Sequence, residues 1–283
     1  MPELPEVEVL ARHLRPVLHG KTVRSLRVNR AKILRPTTER ELSNVLVGAT
    51  FKSLTRRGKY LLFEFHSKKT KKPVTVMGHL GMTGKMYVVR KGEALPKHAA
   101  VVWELSAGTF VFEDTRYFGR MTLDLSAVEK LGPEPWDPAF TPEVFAKELK
   151  RSRQAIKVKL LDQALVAGVG NIYASEALFR AKISPKLAAS RLKFAQVERL
   201  LDAIRDILSE AIAAGSTVPL NFAPGKTNGL FYFGSAQGAE DFYTERLQVY
   251  DRAKKPCVVC GTPIQRMVQA ARSTFFCKEC QKG

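Results

Sequence analysis

The chain has 283 residues and carries 46 Lys plus Arg against 27 Asp plus Glu, a formal net charge of +19. At roughly 150 residues per domain this length implies about two domains with a sizeable core, and the ordinary balance of apolar and charged residues excludes general disorder. No apolar run approaches the roughly 18 residues that span a bilayer, and Met1-Pro2-Glu3-Leu4-Pro5-Glu6 is acidic where a secretion signal is basic. The expected setting is therefore the cytoplasm, without a membrane partner.

In chain order, Val7, Leu10, Ala11, Leu14 and Leu18 recur at helical spacing, and Pro5 suits a first turn, which predicts a helix from about Pro5 to Leu18. The period then changes to that of strands. Tyr60-Leu61-Leu62-Phe63-Glu64-Phe65 and Val74-Thr75-Val76-Met77 are rich in β-branched and aromatic residues. Val101 to Leu105, a turn over Ser106 to Thr109, and Phe110 to Glu113 read as a hairpin. Leu131-Gly132-Pro133-Glu134-Pro135-Trp136-Asp137-Pro138 is the best linker candidate.

Beyond it the pattern is helical. Gly168-Val169-Gly170-Asn171 reads as a tight turn into a helix starting near Tyr173, where backbone amides favour a phosphate, although such a turn also serves as simple punctuation between helices. Val197, Leu200, Leu201, Ile204, Leu208, Ala211 and Ile212 form an apolar face, with Glu198, Asp202, Asp206 and Glu210 on the solvent side. From Val218 to Glu245 runs a long stretch with four glycines and scattered aromatics, of the kind that is functional or disordered.

Charge along the chain is segregated. From Phe51 to Lys72 eight bases face Glu64 alone, whereas Pro2 to Glu8 holds three acids and no base. An excess of bases this large points first to nucleic acid, with a lysine-rich surface or an anionic membrane as the other readings. All four cysteines lie near the end, as Cys257-Val258-Val259-Cys260 and Cys277-Lys278-Glu279-Cys280, two C-x-x-C pairs about 16 residues apart. That spacing presents four sulfurs to one Zn²⁺, and with every position filled by sulfur the metal is structural. The hairpin between the pairs carries Arg266 and Arg272, a candidate DNA contact, although such ribbons also dock proteins.

Removal of Met1 would leave Pro2 as a secondary amine. Chain-terminal amines have pKa values of about 7.7 to 8.0, so an appreciable fraction is neutral and nucleophilic at pH 7, and the positive end of the following helix lowers that value further. Glu3 and Glu6 beside it are suited to protonate a leaving or ring oxygen. Taken alone, a Pro-Glu start is also how an ordinary helix begins.

Five segments settle that ambiguity by likeness: Met1-Pro2-Glu3-Leu4-Pro5-Glu6-Val7-Glu8, Arg57-Gly58-Lys59-Tyr60-Leu61, His79-Leu80-Gly81-Met82-Thr83-Gly84, Asp114-Thr115-Arg116-Tyr117-Phe118-Gly119 and Gly168-Val169-Gly170-Asn171-Ile172-Tyr173-Ala174-Ser175-Glu176. In this order, with the terminal four-cysteine ribbon, they resemble the bacterial formamidopyrimidine-DNA glycosylase family from residue 1 to residue 280. Leu4 resembles this branch rather than its endonuclease VIII relatives.

The resemblance implies an α+β multidomain chain: an N-terminal helix plus β-sandwich (1–131), a linker (132–138), a helix-two-turn-helix domain (139–249) with a long lesion-covering loop (218–245), and a zinc finger (250–283). It implies a monomeric base-excision-repair enzyme on damaged double-stranded DNA, a bifunctional glycosylase and abasic-site lyase that removes oxidised purines such as formamidopyrimidines and 8-oxoguanine. Pro2 attacks C1′, Glu3 protonates the sugar ring oxygen, Glu6 assists proton transfer, and Lys59 holds the phosphate near the lesion and assists catalysis. Met82, Arg116 and Phe118 fill the space left by the everted base, Arg116 facing the orphaned partner. His79, Lys157, Asn171, Tyr250 and Arg272 contact phosphates, and Cys257, Cys260, Cys277 and Cys280 hold one structural Zn²⁺. The alternatives are an endonuclease VIII-like glycosylase of oxidised pyrimidines or other lesions, and a non-catalytic zinc-ribbon DNA-binding protein. The chain departs from the family pattern in the length and aromatic content of 218–245 and at Asp251, where glycine is usual.

Overall fold

The structure, a computed structural model, describes residues 1–67, 72–216 and 247–282, so the long segment 218–245 and Lys68, Lys69 and Lys71 of the basic run lie outside the described residues. Among the described residues, Met1–Glu129 with Gly215 and Ser216 form one compact unit, and Lys130–Ala214 with 247–282 form another.

The first unit opens with helix α1 (Leu4–Leu18), whose Leu4, Val7, Leu10, Ala11, Leu14 and Leu18 are buried as the periodicity predicts. Two four-stranded antiparallel sheets follow. One has the order β1-β6-β7-β5, from Val23–Val28, Ala99–Leu105, Thr109–Glu113 and Lys85–Val89. The other has the order β2-β3-β4-β8, from Thr50–Arg57, Tyr60–His66, Pro73–His79 and Arg120–Thr122. Along β3 the alternate residues Leu61, Phe63 and Phe65 are buried, the period-two pattern of a strand with one face in the core. Phe63 and Phe65 meet Trp103 of β6 edge-on at centroid distances of 5.5 Å, and Trp103 stacks on Phe110 of β7 at 4.2 Å. Side chains from both inner faces interdigitate here, which makes the pair a sandwich. Strand β6 is apolar without alternation because its other face packs as well, Ala99 and Val102 joining Tyr87, Val89 and Val111.

The turn between β2 and β3 is two residues long, with Gly58 at φ +56 in its first position, the arrangement of a type II′ hairpin. It sets Lys59 at the tip. Helix α2 (Glu39–Leu46) is capped by Thr38, whose hydroxyl accepts the Glu41 amide at 3.2 Å. A single helical turn, α3 (Ser126–Glu129), ends the unit.

In the second unit the proline-rich stretch is tied down along its length. The Gly132 amide donates to Gln163 O, the Ala167 amide to Pro133 O, and the Arg205 guanidinium to the carbonyls of Pro135 and Phe140. A Cβ at Gly132 would lie 2.1 Å from Ala164 O, so only glycine fits there. Helices α4 (Pro142–Lys150), α5 (Ile156–Lys159), α6 (Asn171–Arg180) and α7 (Phe194–Ser216) follow. The core of α7 is Val197, Leu200, Leu201, Ile204, Leu208 and Ala211, while Asp202, Asp206 and Glu210 are exposed as expected. Glu210 accepts both arms of Arg180 at 2.7 Å.

The two turns between α5 and α6 are organised by Gln163, whose side chain accepts the Gly168 amide at 2.9 Å and donates to the carbonyls of Leu161 and Val169. The unit ends in the hairpin β9 (Gln265–Gln269) and β10 (Arg272–Phe276). Its two-residue turn is Ala270-Ala271, at φ +46 and +58. Among the described residues no helix is long and apolar enough to cross a membrane.

Candidate functional site

At the N-terminus, Pro2 is buried and Met1 is exposed. Glu3 is the N-cap of α1 with an extended backbone, and its amide donates to Glu6 Oε2 at 2.6 Å. Both carboxylates are buried, at 2% and 3% exposure. Buried carboxylates demand donors, and the first turn of a helix supplies unspent backbone N–H groups and the positive end of the dipole. Glu8, the third acid of the cluster, is committed elsewhere. It accepts Arg12 Nε and Arg56 Nε, each at 2.8 Å. Burial pushes its carboxyl up, but the two guanidinium groups outweigh burial and leave it below the usual range. Lys59, at the β2–β3 tip, is buried at 6% exposure.

His79 closes β4, and its ring lies 4.7 Å from that of Tyr60, its cross-strand neighbour. Burial, then the charges of Lys59 and Arg120, bring its pKa down to about 4. The ring is therefore neutral at pH 7. Nδ1 lies 3.1 Å from the Gly81 amide, which donates to it, so the proton sits on Nε2 and that nitrogen is a donor.

The loops 80–84 and 114–119 are packed into one body. A Cβ on Gly81, at φ +62, would fall 2.6 Å from Gly119 N and from Phe118 C. Asp114, with no exposed surface, accepts the Thr83 hydroxyl at 2.6 Å, the Arg116 amide at 3.1 Å and the Gly119 amide at 2.8 Å. On this base Met82 and Phe118 are exposed at 39% and 49%, and the Arg116 guanidinium lies 4.9 Å from the Phe118 ring centre. Neither apolar side chain belongs to the core. Exposed apolar groups held on a rigid loop are what insertion into a base stack requires.

In the second unit Lys157 is fully buried and its Nζ donates to Asn171 Oδ1. Asn171 Nδ2 donates to Ser273 O at 2.9 Å, which ties α6 to β10. Helix α6 starts at Asn171, two residues before the expected start, because Gly170 takes the N-cap role and Gly168, at φ +97, turns the chain. Backbone amides at the N-terminus of a helix favour an anion. The Tyr250 amide donates to Glu176 at 2.7 Å, as do those of Gln248 and Val249, at 2.9 Å. The Tyr250 ring packs edge-on against Phe275 at 5.1 Å. Asp251 follows at φ +56, the left-handed conformation that glycine takes without strain. Arg272 is exposed at the start of β10, and its guanidinium has no hydrogen bond or ion pair among the described residues.

The four cysteine sulfurs lie within 4.8 Å of one another, with Cys257 and Cys280 at 3.8 Å and Cys260 and Cys277 at 3.5 Å. Hydrogen bonds from Thr262 bring the Cys260 thiol down to about 6, whereas burial and the neighbouring sulfurs push Cys277 and Cys280 up. Four thiolates cannot share this space without a cation, and the all-sulfur set fits Zn²⁺ in a closed structural site.

Sequence reasoning assigned no role to Asp114, Gln163 or Glu176. Each is a polar side chain that organises a loop carrying assigned residues, through partners that motif spacing does not show.

The chain matches the "Formamidopyrimidine-DNA glycosylase N-terminal domain" over residues 1–121, the "Formamidopyrimidine-DNA glycosylase H2TH domain" over 131–221 and the "Zinc finger found in FPG and IleRS" over 254–283. The formamidopyrimidine-DNA glycosylase of Listeria innocua is 37% identical over the whole of both chains, and that of Ligilactobacillus salivarius is 40% identical over 99% of each. The Lactococcus lactis enzyme bound to DNA with an AP site has a TM-score of 0.84 at 32% identity, covering 99% of this chain and all of the other. The same enzyme with DNA containing N7-benzyl-Fapy-dG gives 0.85 at 32% identity over the whole of both chains. With all three domains matched in order and relatives similar from end to end, the chain belongs to the formamidopyrimidine-DNA glycosylase family.

Proposed function

We infer that the protein is a bifunctional DNA glycosylase and abasic-site lyase of base excision repair, acting on oxidised purines such as formamidopyrimidines and 8-oxoguanine in duplex DNA. The observation that carries this reading is the N-terminal corner, where Pro2 precedes two carboxylates buried at 2% and 3% exposure, one locked on the other's amide. The two side chains form the capping box that opens α1, and what supports a role beyond the cap is that both are acids buried directly beside a chain-terminal amine.

In the mechanism, the Pro2 nitrogen, freed of Met1, attacks C1′ of the damaged nucleotide. Glu3 protonates the ring oxygen as the C1′–O bond opens, and the base departs. The Pro2 nitrogen gives up its proton to the departing base, which leaves a C1′=N iminium, and Glu6, fixed on the Glu3 amide, assists this proton transfer. The cationic Schiff base acidifies the C2′ proton, whose loss expels the 3′ phosphate; a second elimination expels the 5′ phosphate. Lys59 and the Nε2–H of neutral His79 hold the phosphate beside the lesion.

Met82 and Phe118 occupy the space left by the everted base, and Arg116 hydrogen-bonds the orphaned partner. Asn171 commits Oδ1 to Lys157 and one Nδ2 hydrogen to Ser273. It reaches phosphate through its second amide hydrogen and the backbone of α6. Tyr250 and Arg272 extend this contact, and Cys257, Cys260, Cys277 and Cys280 hold the structural Zn²⁺ that folds the Arg272 hairpin. Residues 1–131 act as the catalytic domain, 139–249 as the helix-two-turn-helix domain and 250–283 as the zinc finger, with 132–138 as the linker. The enzyme works as a monomer in the bacterial cytoplasm, associated with the nucleoid through DNA.

Borohydride reduction on duplexes carrying 8-oxoguanine, a formamidopyrimidine, thymine glycol or an abasic site tests the reading. Adducts are expected on the purine lesions and the abasic site. An adduct on thymine glycol alone among the base lesions would replace the substrate with oxidised pyrimidines, and no adduct on any duplex would leave only a DNA-binding role.

A further inference from the structure

Between Arg116 and Phe118 stands Tyr117, at φ +53, a left-handed conformation that bulky residues rarely take. Two residues from elsewhere in the sandwich hold it there. Its hydroxyl lies 3.2 Å from His98 Nδ1, within hydrogen-bonding distance, and the guanidinium carbon of Arg30 sits 4.7 Å from its ring centre. Arg30 is itself well anchored. The preceding Asn29 donates its amide to Ala100 O at 2.9 Å and its side chain to Ala99 O at 2.8 Å, fixing the end of β1 next to the residues that follow His98.

The contact uses the flat face of the guanidinium. Its five N–H groups point outward in the plane of the fork. Among the described residues no carboxylate or other acceptor takes any of them, and Arg30 is exposed. Residues 115 to 118 contain no acid, and the nearest acid in sequence on the far side of Asp114, Glu113, is committed to the Tyr87 hydroxyl at 2.8 Å. Asp114 itself is spent on the Thr83 hydroxyl and two loop amides. An exposed arginine whose direction is fixed and whose donors are unspent among the described residues, with no free acid in the loop it stacks on, is prepared for an anion from outside.

We propose that Arg30, seated on Tyr117, is a DNA-backbone contact that grips a phosphate of the undamaged strand beside the orphaned base. The proposal rests on the reading of the protein as an enzyme of duplex DNA in which Arg116 faces that base. The planar fork suits a phosphate oxygen pair, and its immobilisation lowers the entropy lost on binding. Tyr117 is the positioning residue, since it orients Arg30 on one side and carries Arg116 and Phe118 on the other.

The test measures binding to a duplex containing a reduced abasic-site analogue over a range of salt concentrations. Arg30→Gln is expected to bind several-fold more weakly, with a slope of log K against log salt shallower by about one phosphate contact. Arg30→Lys should keep the wild-type slope but lose affinity, because an ammonium cannot make the stacked, forked contact. Neutral methylphosphonates walked along the undamaged strand should erase the difference between wild type and Arg30→Gln at one linkage near the orphaned base. An unchanged salt slope in Arg30→Gln overturns the proposal, as does a difference erased only by substitutions in the damaged strand. Failure of the wild-type protein to form a borohydride-trapped adduct would instead strike the glycosylase reading on which it rests.

Discussion

In the first unit the residues assigned to catalysis and to filling the base stack stand on a closed aromatic core; in the second, Arg272 stands on a short hairpin with a far smaller one. Phe63, Phe65, Trp103 and Phe110 lie fully buried beneath α1 and the loops 80–84 and 114–119. The hairpin's cluster is Phe179, Val249, Ile264 and Phe275 with Cys257 and Cys277, too small to fold alone without a further constraint. The contrast teaches that a large core can hold its loops by packing and buried hydrogen bonds, while a core as small as the hairpin's needs a metal.

The largest expected effect follows from the weaker scaffold. Stripping zinc should unfold residues 250–283, since structural zinc contributes on the order of 10 kcal/mol to such sites, and should weaken DNA binding by more than about a hundredfold as the hairpin's phosphate contacts are lost. Amide exchange across β9 and β10 against that across β3 and β6 checks it; the sandwich strands should stay protected. Loss of protection in both units together would break the comparison.

Within the first unit, Glu3→Gln should lower base excision by about 10²- to 10⁴-fold, the usual reach of a general acid, and leave elimination at a preformed abasic site far less affected. Single-turnover rates on the two substrates separate these. Equal losses on both would assign Glu3 to binding rather than to ring-oxygen protonation.

His79 gives a smaller and pH-dependent effect. In the folded chain it resists protonation down to about 4, whereas unfolded histidine takes its proton near 6.5. Between those values the unfolded state binds the extra proton, so stability falls as pH drops from about 6.5 to 4, by on the order of 3 kcal/mol. Denaturant titrations of wild type and His79→Gln over this window should show a decline in the first that the second lacks.

The smallest effect concerns the hairpin's entry. Asp251 sits at φ +56, and Asp251→Gly should raise stability by about 0.5 to 1 kcal/mol by relieving that conformation. A loss of stability would mean that the Asp251 side chain contributes more than the turn costs.

Much of this was legible because it is local. Aromatic content predicted β3, the turn residues predicted the β6–β7 hairpin, and the C-x-x-C pairs predicted four sulfurs that the fold brings within 4.8 Å. What could not be read depends on partners far apart in sequence. Asp114 organises its loop through Thr83, 31 residues away, and Glu176 gathers amides 72 to 74 residues away. The displaced basicity of His79 arises from burial and from the charges of Lys59 and Arg120, each on a different segment. Even the acidic start was only partly legible, because Glu8 belongs to an ion-pair network with Arg12 and Arg56.

The most direct test of the central claim is to map the trapped adduct. Protein with Met1 removed is reduced with borohydride on an abasic-site duplex, digested and analysed by mass spectrometry. The DNA remnant is expected on the N-terminal peptide at the Pro2 nitrogen, and blocking that nitrogen with an N-terminal extension should abolish trapping while binding persists. A remnant on Lys59 or another lysine, or undiminished trapping by the extended chain, would contradict the account.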